Sequence, residues 1–277
     1  MSETSFETIT YAVEERIATI TLNRLAARNG YTHRMAAELA AAYGIADADD
    51  DVRVIVLTGA GKDFCVGMDM AAGEAPEDFT APGYVEPATR STRPLSRVDK
   101  VVIAAVHGAA VGVGSTMILP ADIRIAASNT RFGFVFSRRG LFPEGGSTWY
   151  LPRIVGLGRA QDWMITGRLV PAAEALAAGL VSQVVEPADL LSTAYALARE
   201  IVTTTAPVST AVIRRALIHQ LGEPSPEAAF DLDSTLIAHA FGSADTVEGI
   251  MSFLQKRPPE FPGTVGKDLP PCLPWKP

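Results

Sequence analysis

The sequence is poor in the residues that disulfide, metal and nucleic-acid chemistry require. Its 277 residues include two cysteines, Cys65 and Cys272, which lie far apart and match no metal-ligand spacing. This sparse use of cysteine fits a reducing compartment. The net charge is −7 and no basic run stands out, which argues against nucleic acid as a partner. We therefore expect no bound metal and no nucleic acid.

Long apolar runs are also missing. No stretch approaches the ~20 apolar residues that a membrane span needs, so no membrane partner is expected. The opening residues, MSETSFETITYAVEER, lack a basic region followed by an apolar run, so no signal peptide is expected. Together these features predict a cytoplasmic protein. The four histidines are scattered and are expected to satisfy local hydrogen bonds rather than act in catalysis.

Strands and helices alternate along the first half of the chain, which is 48% hydrophobic overall. The stretch FETITYAVEERIATITLNR predicts a hairpin that turns at Glu14–Glu15 and ends near Leu22. Buried strands are predicted from Val52 onward, in VVIAAV, and near Ile123–Ala126. Such alternation predicts parallel pairing and an α/β layer arrangement.

The second half has a different pattern. From Leu151 the spacing predicts helix after helix, the last of them over 226–255, interrupted by a short strand in LVSQVV. Residues 71–99, rich in Pro, Ala and charge, predict a mobile segment over a pocket. Residues 258–277 are Pro-rich and predict an extended tail.

Two predicted strands lead into glycine-flanked turns, FCVGMDM near Val66 and GAAVGVGST near Val113. A turn between a strand and a helix points backbone N–H groups into a cleft. Two such groups that converge form an oxyanion hole, and flanking glycines let a ligand approach closely. The alternative is that both are ordinary strand–helix connections.

A single carboxylate, Glu144, stands in the stretch GLFPEGGSTW. Pro143 before it and two glycines after it predict a turn. The stretch alone is compatible with a solvated turn acid, part of a phosphate-binding loop, or a catalytic base.

Three blocks in this order resemble the crotonase (enoyl-CoA hydratase/isomerase) superfamily: VRVIVLTGAGKDFCVGMDM, KVVIAAVHGAAVGVGSTMILPADIRIAA and the segment that begins FGFVFSRRGLFPEGGST. The resemblance implies a β-β-α spiral core with an acyl-CoA site over residues 1–205. It further implies a C-terminal α-helical trimerisation region over 206–262, before a Pro-rich tail over 263–277. Homotrimers or dimers of trimers and acyl-CoA thioester substrates are implied, with no metal and no cofactor apart from the substrate's coenzyme A.

The resemblance also assigns site residues. The backbone N–H groups of Val66 and Val113 would form the oxyanion hole. The coenzyme A part of the substrate would meet Ala27, Arg28, Gly67, Met68, Asp69, Phe253 and Lys256, the last two across a subunit boundary. A solvated Arg28 and a core Phe253 are the alternatives.

Two departures from the family's pattern decide the expected chemistry. Family hydratases use two glutamates, whose positions here are Thr116 and Phe136, so ordinary hydration is doubtful. Glu144 in RGLFPEGGST instead resembles the catalytic glutamate of peroxisomal-type Δ3,Δ2-enoyl-CoA isomerases. That resemblance implies conversion of a 3-enoyl-CoA to a 2-enoyl-CoA in fatty-acid metabolism.

The acyl pocket and the competing functions complete the prediction. We assign the substrate pocket to Met70, Thr116, Phe136, Phe142 and Trp149, although core packing is the ordinary role of such aromatic residues. The alternatives to an isomerase are a hydratase that uses Glu144 alone, a thioester or C–C bond hydrolase, and a non-catalytic acyl-CoA-binding protein.

Overall fold

The computed structural model describes residues 6–73 and 78–275, and these begin with the predicted hairpin. Strand β1 (Ile9–Glu14) pairs antiparallel with β2 (Ile17–Leu22). The turn falls on Glu15 and Arg16, one residue later than predicted, and both have positive φ. Two consecutive left-handed residues give the backbone twist that joins adjacent strands in a tight hairpin.

Within the described residues, seven further strands follow. In chain order they are β3 (Val54–Gly59), β4 (Val101–Val106), β5 (Ala109–Val111), β6 (Ile123–Ala127), β7 (Arg131–Gly133), β8 (Leu169–Pro171) and β9 (Gln183–Val185). One sheet has the order β1-β2-β3-β4-β6-β9 and is parallel after the hairpin, and a second has the order β5-β7-β8. The α/β class and the parallel pairing are therefore as predicted.

The central strands are buried on both faces. Ile55 and Leu57 of β3 point into one apolar cluster, whereas Val54 and Val56 point into another. This explains why these strands read as continuous apolar runs rather than alternating ones.

The helices enclose these sheets. They are α1 (His33–Ala48), α2 (Pro87–Arg97), α3 (Val113–Thr116), α4 (Ser147–Val155), α5 (Leu157–Thr166), α6 (Ala172–Ala177), α7 (Leu190–Thr204), α8 (Pro207–Gln220), α9 (Glu227–Ala240), α10 (Ala244–Gln255) and α11 (Val265–Asp268). Short 3-10 turns cover 25–27, 136–139 and 187–189. Helix α7 contacts β3 and β4 on the face opposite α1.

The segment predicted to be mobile, 71–99, contains helix α2. Glu86 precedes Pro87, and the buried face of the helix includes Ser91, Thr92 and Leu95. The Pro- and Arg-rich composition concealed this helix, although an acidic residue followed by Pro is a helix-start signal. Residues 74–77 of the predicted segment lie outside the described residues.

The C-terminal part differs from the expectation in two places. The helix predicted through 226–255 is two helices, because Ser243 caps α10 by accepting a hydrogen bond from the Thr246 N–H. The tail is not simply extended: it contains α11 and returns to the body of the protein, where Leu273 is buried and the Gly266 N–H donates to Asp50. No helix within the described residues has the length and apolarity to cross a membrane.

Candidate active site

The two glycine-flanked turns pack directly against each other. Cys65 and Ala110 form a parallel bridge, in which the Cys65 N–H donates to Ala109 and its carbonyl accepts from Val111. A Cβ at Gly114 would lie 2.4 Å from the Cys65 carbonyl oxygen, a distance that real Cβ atoms do not adopt. The glycine is therefore required by this close approach.

Two backbone donors remain at this contact. Val113 is the first residue of helix α3, where a first-turn N–H has no partner within the helix. Val66 directly follows Cys65, which forms the bridge between the turns. Among the residues that the structure describes, neither N–H donates to a protein acceptor. The turns can thus offer both donors to one ligand oxygen, as the predicted oxyanion hole requires, and that role stays a prediction.

Glu144 occupies the predicted turn. The Ser147 N–H and hydroxyl both donate to the Glu144 carbonyl, at 2.9 and 2.6 Å. Gly145 and Gly146 have φ of 58° and 72°, so the chain reverses there before α4 begins. These features fix the backbone and leave the carboxylate half-buried next to helix α3.

Burial changes the acidity of this carboxylate. Loss of solvent raises the pKa of Glu144 to about 7, and the negative charge of Glu86 acts in the same direction. The Thr116 hydroxyl donates a hydrogen bond to Glu144 Oε1 at 3.2 Å. This bond lowers the pKa of Glu144 and so opposes the effects of burial and of Glu86. A carboxyl with a pKa near neutrality can both accept a proton and return it at pH 7.

The same side chain sets a pH-dependent stability. The folded-state pKa of Glu144 exceeds the ordinary value of 4.5. The side chain's stabilising contribution is therefore fully present below pH 4.5 and is lost as pH rises through about 7. Glu144→Gln removes this loss. We expect the difference in unfolding free energy, variant minus wild type, to increase by roughly 1–3 kcal/mol from pH 5 to pH 8. Urea denaturation at both pH values measures it. An equal difference at both pH values would contradict it.

Glu86 is the functional residue that the sequence interpretation missed. It accepts hydrogen bonds from the N–H groups of Ala88 and Thr89 and from the Thr89 hydroxyl, which caps α2. It also accepts the Gly145 N–H at 2.8 Å. The capping role has a sequence signal in Glu86–Pro87, but no local pattern reveals a contact across 59 positions.

The two positions predicted to correspond to the acids of family hydratases, Thr116 and Phe136, are both buried. Thr116 is fully buried, and its hydroxyl lies within hydrogen-bond distance of the Val113 carbonyl and Glu144. Phe136 is 6% exposed and belongs to the main apolar cluster. Neither residue can transfer a proton to carbon at neutral pH.

The predicted apolar wall is only partly formed by this chain. Phe142 and Met70 are 87% and 90% exposed, in contrast to the expectation for pocket residues. Phe142 extends outward because it follows the left-handed turn at Gly140. Trp149 is half-buried and packs against Arg153, whose guanidinium lies 4.2 Å from the ring centre. Pocket roles for these residues stay predictions.

The residues assigned to coenzyme A fall in two places. Arg28 is a surface residue whose Nε lies 2.7 Å from Asp63, which supports a structural alternative to ligand binding. The Tyr31 N–H donates to the Gly67 carbonyl and the Asp69 N–H donates to the Tyr31 carbonyl, which holds residues 67–69 beside the segment that carries Ala27. Arg24, which was not predicted, contacts Asp69 at 2.9 Å.

The other two assigned residues lie at the C-terminal end of α10. Phe253 is 82% exposed rather than a core residue, and Lys256 is exposed in a left-handed conformation. Both side chains are accessible to a second subunit, and that role stays a prediction.

Other kinds of chemistry have little support in the described part of the chain. It contains no group of three His, Cys, Asp or Glu side chains arranged to hold a metal ion. Burial raises the pKa of the Cys65 thiol to about 12, so it stays protonated and is a poor nucleophile. Glu144 is therefore the group best suited to proton transfer.

Comparisons with known proteins show the family to which the chain belongs. A family model described as enoyl-CoA hydratase/isomerase matches residues 12–264. The enoyl-CoA hydratase ACTT3 of Alternaria alternata is 38% identical over 250 residues, which cover 90% of this chain and 84% of that protein. The 1,2-epoxyphenylacetyl-CoA isomerase of Escherichia coli (strain K12) is 36% identical and covers 91% and 97%.

Solved structures show the same fold. An enoyl-CoA hydratase from Mycobacterium smegmatis superposes with a TM-score of 0.83 at 30% identity, covering 92% of this chain and 99% of that one. Sequence, fold and relatives agree over nearly the whole chain. The protein therefore belongs to the enoyl-CoA hydratase/isomerase family of the crotonase superfamily.

Proposed function

We propose that this protein is an enoyl-CoA isomerase that converts a 3-enoyl-CoA to the conjugated 2-enoyl-CoA. The observation that carries the proposal is Glu144, a carboxylate whose pKa is raised to about 7 and which contacts Thr116, one of the two positions where an acid is missing. One acid–base group suffices for this reaction, whereas addition of water requires one group for the water and one for the carbon.

The reaction needs one proton to move between two carbons. The Glu144 carboxylate removes a proton from C2 of the thioester, and the C–H electron pair delocalises into a dienolate. The N–H groups of Val66 and Val113 hold the negatively charged thioester oxygen. The Glu144 carboxyl then gives the proton to C4, and the double bond ends between C2 and C3. No atom enters or leaves.

Glu86, a second carboxylate close to this site, does not supply the missing acid. An ionised carboxylate has about four acceptor positions. Three donors, the Thr89 N–H, the Thr89 hydroxyl and the Gly145 N–H, bond to Oε1, and the Ala88 N–H bonds to Oε2. A carboxylate that accepts all four of these hydrogen bonds is an acceptor only and has no proton to give to the substrate.

Product analysis tests the proposal. The protein is incubated separately with a 3-enoyl-CoA and a 2-enoyl-CoA, and the products are separated by chromatography and identified by proton NMR. We expect interconversion of the two enoyl thioesters, with 3-hydroxyacyl-CoA as at most a minor product. Formation of 3-hydroxyacyl-CoA without movement of the double bond would overturn the proposal.

The relatives' names favour one alternative, hydration by Glu144 alone. Several relatives are named as hydratases, including ACTT3 and the (E)-benzylidenesuccinyl-CoA hydratase of Thauera aromatica. In that reaction Glu144 would have to activate water and also protonate Cα. The 2-enoyl-CoA arm of the experiment decides between the two functions.

Association into a homotrimer or dimer of trimers is also proposed. The C-terminal helices expose large apolar side chains that a single chain leaves uncovered, among them Leu217, Phe230, Ile237, Phe241 and Phe253. Burial of such side chains is the usual driving force for stable oligomers.

A further inference from the structure

A carboxylate bridge connects helix α2 to the turn that carries Glu144. We infer that Glu86 is a positioning residue of the active site, which joins the first turn of α2 to Gly145 and directs a fixed negative charge at Glu144. The inference rests on the proposed function of Glu144 as the catalytic base. Glu86 itself is not expected to contact the reacting carbons.

The hydrogen bonds of Glu86 restrain both segments at once. Its Oε2 accepts the Ala88 N–H at 2.6 Å, and its Oε1 accepts the N–H groups of Thr89 and Gly145, both at 2.8 Å. A shift of the Glu144 turn would therefore either break the Gly145–Glu86 hydrogen bond or pull Glu86 out of the cap of α2. The half-buried position of Glu86 limits replacement of these bonds by water.

Packing holds the same turn from two sides. A Cβ on Gly145 would lie 3.3 Å from the Thr92 methyl group on α2 and 3.3 Å from the Thr116 hydroxyl on α3. The turn is thus confined between these helices. Thr116 restrains the Glu144 side chain from α3, while Glu86 restrains the backbone of the next residue from the start of α2.

Glu86 differs in charge from the other titratable groups that face Glu144. Within the described residues, the titratable groups that interact with Glu144 are Glu86, the Tyr31 hydroxyl and the Cys65 thiol. Burial raises the pKa values of Tyr31 and Cys65, so both are neutral at pH 7. The charge that opposes ionisation of Glu144 therefore comes from Glu86.

The variant Glu86→Gln removes the charge and keeps the bond to the turn, because the amide oxygen can still accept from Thr89 and Gly145, while the amide NH2 replaces only the acceptor of the Ala88 N–H. The raised pKa of Glu144 predicts an acid limb near pH 7 in the wild-type pH profile of kcat/KM, and we expect Glu86→Gln to move this limb down by about one pH unit. We expect kcat on the plateau to stay within about tenfold of wild type, because a weaker base transfers protons more slowly. Glu86→Ala should lose roughly a further tenfold, because its restraint is also removed.

The chain offers a matched control in Glu38. Its carboxylate likewise accepts two backbone N–H groups and a hydroxyl, from Glu7 and Thr8, but it restrains the start of β1 rather than the active site. Glu38→Gln should leave the acid limb where it is in wild type. An equal movement of the limb in both variants would overturn the inference.

An activity-free titration distinguishes failure of this inference from failure of the proposed function. The carboxyl signal of Glu144 is followed by NMR in protein labelled with isotope-enriched glutamate, and it is identified by its loss in Glu144→Gln. A lower pKa of Glu144 in Glu86→Gln supports the inference even if isomerase activity is absent. An unchanged pKa of Glu144 in an active isomerase overturns it and leaves the proposed function intact.

Discussion

Glu144→Gln is expected to lower kcat for isomerisation of a 3-enoyl-CoA by roughly a thousandfold, within the range by which general acid–base groups accelerate reactions. Glutamine is almost the same size as glutamate and can still accept the hydrogen bond from Thr116, whose donor lies 3.2 Å from Oε1. It cannot take a proton from C2. Because the variant keeps the shape of the site, KM should change by less than about threefold.

The measurement is steady-state kinetics at pH 8, with the appearance of the conjugated thioester as the signal. Glu38→Gln is the control, because it neutralises a buried carboxylate in another part of the fold, and it should keep kcat near wild type. Retention of more than about a tenth of wild-type kcat by Glu144→Gln would show that another group moves the proton.

The second large effect is expected at Gly114, where the two glycine-flanked turns meet. In Gly114→Ala the new Cβ would lie 2.4 Å from the Cys65 carbonyl oxygen and 2.9 Å from its Cβ. The turns must therefore separate, which misaligns the N–H groups of Val66 and Val113. We expect kcat to fall roughly a hundredfold, as loss of one oxyanion donor does in other enzymes, and the unfolding free energy to fall by about 1–3 kcal/mol.

Gly44→Ala provides the matched control for this substitution. Gly44 lies in helix α1, is exposed, and has no atom within 4 Å of a new Cβ. Alanine there should raise the unfolding free energy by about 0.5–1 kcal/mol and leave kcat unchanged. Urea denaturation and the isomerase assay on both variants give the comparison. Wild-type kcat in Gly114→Ala would contradict the role of this contact.

Much of the sheet could be predicted because the burial of a strand shows in the hydrophobic pattern of its own residues. Strand β4 is apolar at every position and β3 is apolar from Val54 to Leu57, since neighbours cover both faces. The hairpin was predicted within one residue, because its alternating pattern leaves few alternatives. Such features depend on neighbours in the chain, and they need no knowledge of distant contacts.

The surroundings of Glu144 were harder to predict. The turn followed from Pro143 and the glycines, and the missing acids followed from the positions of Thr116 and Phe136. The contact between Glu86 and Gly145 joins residues 59 positions apart, and helix α2 lies in a segment that was predicted to be mobile. Contacts of this kind arise from the folded arrangement, so a local pattern cannot reveal them.

The outward orientation of Phe142 was missed for a related reason. Aromatic residues next to a catalytic turn usually predict a pocket wall, but the left-handed Gly140 directs this part of the chain toward solvent. A residue type indicates preference for burial, whereas the backbone decides where the side chain lies.

The most direct test of single-carboxylate isomerisation is a reaction in water enriched in heavy oxygen, followed by mass spectrometry of the thioester. A 3-enoyl-CoA should give a 2-enoyl-CoA of unchanged mass, because no oxygen from water enters the product. A 3-hydroxyacyl-CoA that carries heavy oxygen as the main product would establish hydration. Release of a labelled carboxylic acid together with free coenzyme A would establish thioester hydrolysis, and either result would contradict the account.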